Sequence, residues 1–336
     1  MKILGIETSC DECSAAVVEN GKRILSNVVA TQVELHKPYY GVVPEIASRL
    51  HTQWIAEVTG NALSEADITI DEIDGIAVTN RPGLIGSLLV GVSFAKGLAY
   101  SRGLPFVGID HIRAHLYAPH MEHELSYPYL GVLVSGGHTV ICEVLGFDDI
   151  KVLGTTIDDA IGEAFDKVAK HYGMGYPGGV MVDRLAQQGS STAFSFPDPS
   201  LHKGDHVYDV SYSGLKTAVI NQADQFWDGK SEKSLENIAA SFQHAAVEIL
   251  MKRIRLALRA SGHRQVAAGG GVAANSLLRK ELMTLDAEVV FPSLKLCTDN
   301  GAMIAGIGYH YLLHNQCDDL SMNASPRVQA FKRGYP

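Results

Sequence analysis

Residues 3–18 read ILGIETSCDECSAAVV, an apolar run, a short polar segment and a second apolar run. Two apolar runs joined in this way predict a β-hairpin. The same pattern recurs later: when Leu130 is placed over Leu4, Ser135 falls on Ser9, a Gly-Gly pair follows, and another apolar run closes the repeat. We therefore expect two halves that each begin with a strand, a small polar turn and a second strand.

The second turn, Ser135-Gly136-Gly137, has the chemistry of a phosphate-binding loop. Small residues leave successive backbone N–H groups open, and the serine adds a hydroxyl. One Ser-Gly-Gly sequence is most often an ordinary hairpin turn. Two such turns facing each other would hold the phosphates of a nucleotide from both sides, so the repetition favours a nucleotide site.

The length of 336 residues suits two lobes rather than one small core. We expect an α/β protein with a first lobe over residues 1–115, completed by about 300–336. A second lobe would cover residues 116–299, with the active site in the cleft between the lobes. The composition, 46% hydrophobic and 19% charged, is that of an ordinary folded enzyme.

The net charge of −9 argues against a protein that holds nucleic acid by bulk electrostatic attraction. A nucleic-acid partner would have to meet local basic patches or helper subunits. Taken alone, basic groups of this kind are typical of a solvated surface. The candidate basic residues, on one long helix and near the C-terminus, are Lys252, Arg253, Arg255, Arg259, Arg327, Lys332 and Arg333.

A candidate metal site lies in the stretch DHIRAH, residues 110–115, which follows the apolar run PFVGI. His111 and His115 are spaced to share one face of a helix, and the apolar run predicts a strand that delivers them at its carboxyl end. Most histidine pairs at this spacing are merely solvated or packed. A third ligand must come from elsewhere, and Asp299, just before the last helix, is the best candidate, although an aspartate there is more often an N-cap.

Further candidate nucleotide contacts follow the second hairpin. Asp166 lies on a predicted helix whose carboxylates would usually form a solvated face. The glycines around Gly179 break the chain before a helix that carries Asp183, and they allow close approach of a ligand to the backbone. Near the C-terminus a predicted strand enters the glycine loop that ends at Asn275, and strand, glycine loop and helix is the form of a nucleotide site.

The cysteines and the N-terminus indicate a cytoplasmic protein. Five scattered cysteines do not suggest a disulfide framework. The pair Cys10 and Cys13 follows a strand instead of opening a helix, which disfavours redox or zinc use. Glu7 interrupts any leader-like apolar segment, and the most apolar span, residues 84–100, is too interrupted to cross a membrane.

With these motifs assembled, the chain resembles the TsaD family of tRNA threonylcarbamoyl-adenosine modification proteins, once described as sialoglycoproteases. The resemblance covers nearly the whole chain and rests on five motifs in order. They are GIETSCDE (residues 5–12), GVVPEIASR (41–49), LGVLVSGGHT (130–139), GEAFDK (162–167) and CTDNGA (297–302). It implies the actin-like, Hsp70-like ATPase (ASKHA) fold of two duplicated lobes with mixed sheets flanked by helices.

Carried over by motif, the resemblance implies that His111, His115 and Asp299 form the catalytic centre and hold one divalent metal, with Fe²⁺ favoured over Zn²⁺. It also implies a site for threonylcarbamoyl-AMP, which an ATP- or ADP-type nucleotide can occupy. The residues that would line this site are Leu133, Val134, Ser135, Gly136, Gly137, Asp166, Gly179, Asp183 and Asn275.

The implied reaction passes the threonylcarbamoyl group from threonylcarbamoyl-AMP to N6 of the adenosine directly 3′ of the anticodon and releases AMP. The substrates would be tRNAs that read codons beginning with A, met at the anticodon loop. The implied partners are a TsaB-like paralogue and a TsaE-like ATPase, with no membrane involved. The family commonly has threonine where this chain has Cys13 and glycine where it has Arg81, which puts the geometry of two loops in question.

Three other functions are weighed against this one. A metallopeptidase is suggested by the HxxxH spacing, but a zincin carries a glutamate beside its first histidine, and Ile112 occupies that place. An ATP-dependent sugar kinase or chaperone-like ATPase shares the fold but needs no His-His-Asp metal site. A non-catalytic nucleotide-binding scaffold would not depend on His111 for modification.

Overall fold

A computed structural model describes residues 1–198 and 206–327. The chain forms two compact units, unit 1 from Met1–Leu125 with the chain from Pro292 onward, and unit 2 from Ser126–Phe291. The sequence suggested divisions near residues 115 and 299. The segment after residue 115 stays with unit 1, where the carboxylate of Glu122 accepts a hydrogen bond from the backbone N–H of Ser293 at 2.5 Å.

Unit 1 contains five strands and six α-helices among its described residues. The strands are β1 (Lys2–Glu7), β2 (Glu12–Glu19), β3 (Arg23–Thr31), β4 (Gly75–Arg81) and β5 (Phe106–Asp110). The helices are α1 (Val33–His36), α2 (Pro44–Glu65), α3 (Ile85–Arg102), α4 (His111–Tyr117), α10 (Leu294–Cys297) and α11 (Gly301–Leu313).

The two faces of β1 bury different neighbours because alternate residues of a strand point to opposite sides. Leu4 and Ile6 belong to the core that includes apolar residues of α2 and α3. Gly5 faces α11 so closely that an added Cβ would lie 2.2 Å from the carbonyl oxygen of Gly301. Glu7 follows Gly5 on this face and is fully buried.

Unit 2 contains five further strands and five further α-helices among its described residues. The strands are β6 (Tyr129–Val134), β7 (Thr139–Val144), β8 (Ile150–Thr155), β9 (Gln265–Gly269) and β10 (Glu288–Val290). The helices are α5 (Ile161–His171), α6 (Gly178–Ala186), α7 (Ser213–Phe226), α8 (Leu235–Ser261) and α9 (Ser276–Leu282).

Both sheets have the same topology, which confirms the duplicated hairpin. The strand orders are β3-β2-β1-β4-β5 and β8-β7-β6-β9-β10. In each sheet the first three strands of the sequence are antiparallel and the last two lie parallel to the first. The residue pairs Leu4↔Val17 and Leu130↔Glu143 occupy the same place in the two hairpins.

The longest helix, α8, follows its sequence signals closely. Ser234 caps its N-terminus by accepting a hydrogen bond from the backbone N–H of Asn237, and Gly262 ends it in the left-handed conformation at φ 69°. Gln243 lies on its buried side. The helix packs against α6 and α9, so it supports the segments that carry Asp183 and Asn275.

Candidate functional site

The two candidate metal-binding histidines lie on α4, directly after a strand, as the sequence predicted. Strand β5 ends at Asp110, whose carboxylate accepts hydrogen bonds from the backbone N–H groups of Ile112 at 3.0 Å and Arg113 at 3.3 Å. This side chain is therefore the N-cap of α4. The helix begins with His111, and His115 lies one turn further along the same face, with the two ring centroids 4.5 Å apart.

Asp299 lies beside both histidines. Its Oδ1 is 3.0 Å from Nε2 of His115 and 3.4 Å from Nε2 of His111. It is not the N-cap of α11, because Asn300 takes that role by accepting a hydrogen bond from the backbone N–H of Met303 at 3.0 Å. The carboxylate of Asp299 is thereby left available to the histidines.

Glu7 joins this cluster, and the sequence interpretation did not include it. Its Oε2 is 2.9 Å from Nδ1 of His111 and accepts a hydrogen bond from the hydroxyl of Thr79 at 2.5 Å. Its Oε1 accepts a hydrogen bond from the backbone N–H of Ser9 at 2.5 Å. The available signal was a glutamate in an otherwise apolar strand, because such a buried charge needs partners.

The charged groups of this cluster shift one another's pKa values. Burial opposes the ionisation of Asp299 and Glu7, but the attraction of His111 outweighs burial and lowers the pKa of both carboxyl groups. Burial also opposes the charge of His111, yet Asp299 and Glu7 raise its pKa well above the usual value. The pKa of His115 is lowered by burial and by the charge of His111. Two carboxylates thus surround a place where positive charge is favoured.

The donor set fits a divalent metal. One ligand atom each from His111, His115 and Asp299 lie within 4.8 Å of one another. Both histidines direct Nε2 toward Asp299, and Nδ1 of His115 is buried with no hydrogen-bond partner in the described part of the chain. Two imidazoles and one carboxylate are a ligand set that suits iron or zinc and leaves coordination positions open for a substrate.

The candidate phosphate turn of unit 2 connects β6 and β7. Ser135 donates its backbone N–H to the carbonyl oxygen of His138 at 2.8 Å, and its hydroxyl accepts the N–H of His138 at 3.1 Å. Gly136 and Gly137 are exposed, and in the described parts of the chain only their own neighbours in sequence lie within 4 Å of where their Cβ atoms would be. The turn is therefore open on that side, while a Cβ at Gly162 would lie 3.0 Å from the nitrogen of Gly136 on another side. Two of the predicted contacts lie in strand β6 with fully buried side chains, Leu133 and Val134.

Asp166 meets Gly178, the residue before Gly179, where α5 packs on α6. The carboxylate of Asp166 accepts a hydrogen bond from the backbone N–H of Gly178 at 2.7 Å. A Cβ at Gly178 would lie 2.5 Å from the Cα of Asp166, so only glycine permits this approach. Gly179 is half-buried beside it.

Asp183 and Asn275 are joined by Gln243, a residue that the sequence interpretation missed. Nε2 of Gln243 lies 2.6 Å from Oδ1 of Asp183 and 3.0 Å from Oδ1 of Asn275. Asp183 also accepts hydrogen bonds from the hydroxyl and backbone N–H of Ser276. Asn275 accepts the N–H of Leu278 and thereby caps α9. These hydrogen bonds bring together Asp183 and Asn275, two candidate nucleotide-binding residues that are distant in the sequence.

The glycine loop has the predicted strand, loop and helix form. Strand β9 ends at Gly269, a 3-10 turn spans Gly271–Ala274, and α9 begins at Ser276. Gly270 has a φ of 89°, and a Cβ there would lie 2.4 Å from the carbonyl oxygen of Val134. The loop therefore packs directly on the end of β6, next to the candidate phosphate turn.

The basic residues of α8 do not form a free basic patch. Lys252 pairs with Asp198 at 2.8 Å, and Arg255 lies 3.4 Å from Glu248 and 3.2 Å from Glu281. Arg253 is buried and donates to the carbonyl oxygen of Asp209 at 3.0 Å. Arg259 is exposed, whereas Lys332 and Arg333 lie outside the described residues.

The two departures from the TsaD pattern have ordinary surroundings. Cys13 is fully buried in β2, and burial raises the pKa of its thiol to about 12. Arg81 ends β4 and donates from Nε to Asp110, the cap of α4, at 3.4 Å.

No helix in the described parts of the chain combines the length and apolar character that a bilayer crossing requires.

Comparison with protein families gives a match over most of the chain. A family model described as TsaD, tRNA N6-adenosine threonylcarbamoyltransferase, matches residues 23–306. A protein of Treponema denticola with that name is 60% identical over 334 residues and is matched over 99% of both chains. One from Borreliella burgdorferi with the same name is 51% identical over 335 residues, covering 100% of this chain and 96% of the relative.

Solved structures share the fold at low sequence identity. HypF of T. kodakarensis has a TM-score of 0.63 at 15% identity, over 93% of this chain and 48% of that one. Component A of the (R)-2-hydroxyglutaryl-CoA dehydratase of Acidaminococcus fermentans has a TM-score of 0.55 at 15% identity, over 93% and 99%. These likenesses and the paired sheets confirm the α/β ASKHA fold.

Proposed function

We propose a function for this chain from one premise: it belongs to the TsaD family, the tRNA N6-adenosine threonylcarbamoyltransferases. It is accordingly a tRNA-modifying transferase. We infer that it moves the threonylcarbamoyl group of threonylcarbamoyl-AMP to N6 of the adenosine directly 3′ of the anticodon, in tRNAs that read codons beginning with A. The observation that carries this proposal is the convergence of His111, His115 and Asp299 in a chain with this family match.

We assign the metal to unit 1. His111 and His115 would hold it through Nε2, and Asp299 would hold it through its carboxylate. A bound divalent cation supplies Lewis acidity that polarises a carbonyl or phosphoryl oxygen. Fe²⁺ is the metal that we favour, and Zn²⁺ suits the same donors.

We assign the nucleotide part of the donor to unit 2. The backbone N–H groups of Gly136 and Gly137 would receive phosphate oxygens, since both residues are exposed. Asp183 and Asn275, held by Gln243, would bind the adenosine part, as would Asp166 and Gly179. An ATP- or ADP-type nucleotide carries the same groups and would compete for this site.

The chemistry asks for positioning more than for a nucleophile of the protein. The donor is a mixed anhydride and is already activated, so N6 of adenosine attacks the carbamoyl carbon directly. The bond from that carbon to the phosphate oxygen breaks, AMP leaves, and N6 loses a proton. Holding the two reactants in line supplies much of the rate. No serine or cysteine nucleophile is needed, which agrees with the buried, high-pKa thiol of Cys13.

We further propose that the chain works in the cytoplasm with a TsaB-like paralogue and a TsaE-like ATPase. The support is electrostatic: the net charge is −9, and three of the four basic residues considered on α8 already contact acidic or carbonyl groups. A tRNA anticodon loop carries dense negative charge, so partner subunits would supply part of its binding surface.

The test is transfer of labelled threonine into tRNA from preformed threonylcarbamoyl-AMP, with the partner subunits present. Wild-type protein should label the tRNA, and a His111→Ala/His115→Ala variant should not. His244→Ala, at an exposed histidine of α8, is the matched control and should keep wild-type transfer. Transfer retained in the double variant would refute the role of the metal site.

The peptidase alternative is not favoured. The residue beside His111 is Ile112, which is buried and cannot act as a general base. The sugar kinase and chaperone alternatives share only the fold. Metal content of the purified protein separates them from the transferase, because their chemistry does not require the His-His-Asp group.

A further inference from the structure

We propose that Glu7 is a positioning residue for the metal site: it fixes the tautomer and the orientation of the His111 imidazole so that Nε2 is free to bind the metal. This inference rests on the proposed metal assignment and goes beyond it, because the family resemblance assigns no role to Glu7. Glu7 contacts Nδ1 of His111 and not the proposed ligand atom Nε2, so its action passes through His111.

The carboxylate of Glu7 is held in one orientation by three separate elements. Oε1 accepts the backbone N–H of Ser9 in the first turn, and Oε2 accepts the hydroxyl of Thr79 on β4. Oε2 also faces Nδ1 of His111 on α4 at 2.9 Å. The side chain is fully buried, so no water competes for these contacts. A carboxylate fixed in this way is a rigid acceptor.

Donor and acceptor counting then sets the state of the ring. An ionised carboxylate can only accept, so Nδ1 of His111 must carry the proton that lies between them. In the neutral, metal-binding imidazole this leaves the lone pair on Nε2, the nitrogen that faces Asp299 at 3.4 Å. The hydroxyl of Ser9 lies 3.3 Å from the same Nδ1 and is compatible with that tautomer.

The two histidines differ in this respect. Nδ1 of His115 is buried and has no hydrogen-bond partner among residues 1–198 and 206–327, so no acceptor within these ranges fixes its tautomer. The contact between Glu7 and His111 is therefore the one that we expect to orient an imidazole of the metal site. Carboxylate–histidine–metal arrangements of this kind raise the basicity of the ligand, and loss of the carboxylate typically lowers metal affinity about 10–100-fold.

The position of Glu7 follows from the strand pattern. Residues 3, 5 and 7 of β1 share the face toward α11, and Gly5 lets that helix approach the strand closely. The side chain at position 7 therefore meets the polar cluster at the end of the sheet. A glutamate in this buried place is costly unless it is paired, which argues for a specific partner.

The experiment measures the Zn²⁺ affinity of full-length protein, prepared metal-free, by competition with a chromophoric chelator. It also records ¹⁵N imidazole NMR of His111 in the Zn²⁺-loaded protein, where the ring is neutral and its tautomer can be read. Glu7→Gln should lower the affinity by roughly 10–100-fold and mix the tautomers, because an amide whose oxygen accepts the Ser9 N–H turns its NH2 donor toward Nδ1 of His111. Glu19→Gln, at the other end of the β-hairpin, is the matched control and should change neither quantity.

Unchanged affinity and an unchanged tautomer in folded Glu7→Gln protein would overturn the proposal. If that variant does not fold, Thr79→Val carries the test, since it removes one hydrogen bond from the same oxygen and should weaken Zn²⁺ binding about fivefold. Unchanged binding in Thr79→Val would then overturn it. Failure of the metal assignment looks different, because wild type itself would bind no Zn²⁺, which removes the basis of both proposals.

Discussion

The hairpin turns of the two units occupy the same place in identical sheet topologies, yet their environments are opposite. In unit 1 the turn after β1 is largely buried, and Glu7 at its start holds His111. In unit 2 the turn after β6 is open, with Gly136 and Gly137 exposed. The same sheet topology thus carries a buried cluster of charged side chains in unit 1 and a turn of exposed glycines in unit 2.

A single pair of equivalent residues shows how the difference arises. Glu7 pairs with Ser14 in the first hairpin, and Leu133 pairs with Val140 in the second. Leu133 is buried as an ordinary core residue, whereas Glu7 is buried among donors. The sheet fixes where a side chain lies, and the residue type decides whether that place supports a ligand or the core.

The largest expected effect concerns the enclosed cluster. Asp299→Ala should lower the rate of transfer to tRNA by at least about 1,000-fold, the scale of several kcal/mol of lost electrostatic stabilisation. The metal-free variant should still fold, because Asp299 neither caps α11 nor belongs to the core, but it should lose some thermal stability, because His111 and His115 lose a charged partner. Asp224→Ala, at an exposed aspartate of unit 2, is the control, and transfer near wild type in Asp299→Ala would contradict the assignment.

The next effect tests the packing that brings β1 to α11. Gly5→Ala would place a Cβ 2.2 Å from the carbonyl oxygen of Gly301 and 2.5 Å from the backbone nitrogen of Ala305. Backbone atoms cannot yield cheaply, so we expect a loss of about 3 kcal/mol in the free energy of unfolding, measured by urea denaturation. Gly97→Ala on α3, where no atom lies within 4 Å, should instead stabilise the protein slightly.

A smaller effect concerns the polar network under the nucleotide candidates. Gln243→Leu keeps the volume but removes the donor shared by Asp183 and Asn275. We expect a loss of about 2 kcal/mol in unfolding free energy and weaker binding of AMP by isothermal titration calorimetry. Gln53→Leu on the exposed side of α2 should change neither quantity. Full AMP affinity in Gln243→Leu would show that the network does not support the nucleotide site.

Much of the local structure could be predicted because its signals are local. The repeated hairpins, the delivery of His111 by β5 and the limits of α8 at Ser234 and Gly262 all follow from residues within a few positions. Such features need only strand alternation, capping chemistry and the conformational freedom of glycine.

The polar networks could not be predicted because they join distant elements. Glu7 meets Thr79 and His111 only through the parallel order β1-β4-β5, and Gln243 meets Asp183 only after α8 packs on α6. The carboxylate of Asp299 is available to the histidines because its neighbour Asn300 is the N-cap of α11. Two adjacent residues could each have capped the helix, and their competition is decided by the geometry of the turn.

The smallest expected effect isolates the open turn from the rest of unit 2. Gly136→Val adds a Cβ that, among the described residues, has only its chain neighbours within 4 Å, so the free energy of unfolding should change little. A ligand phosphate that approaches this backbone would meet the added methyl groups, and we expect AMP affinity to fall about tenfold, the cost of one hydrogen bond to a charged group. Zn²⁺ affinity should be unaffected, because the metal candidates all belong to unit 1. A variant that binds AMP as tightly as wild type would mean that the open turn of unit 2 is an ordinary hairpin turn. The two turns would then differ only in how deeply they are buried, and the turn of unit 2 would not be part of a nucleotide site.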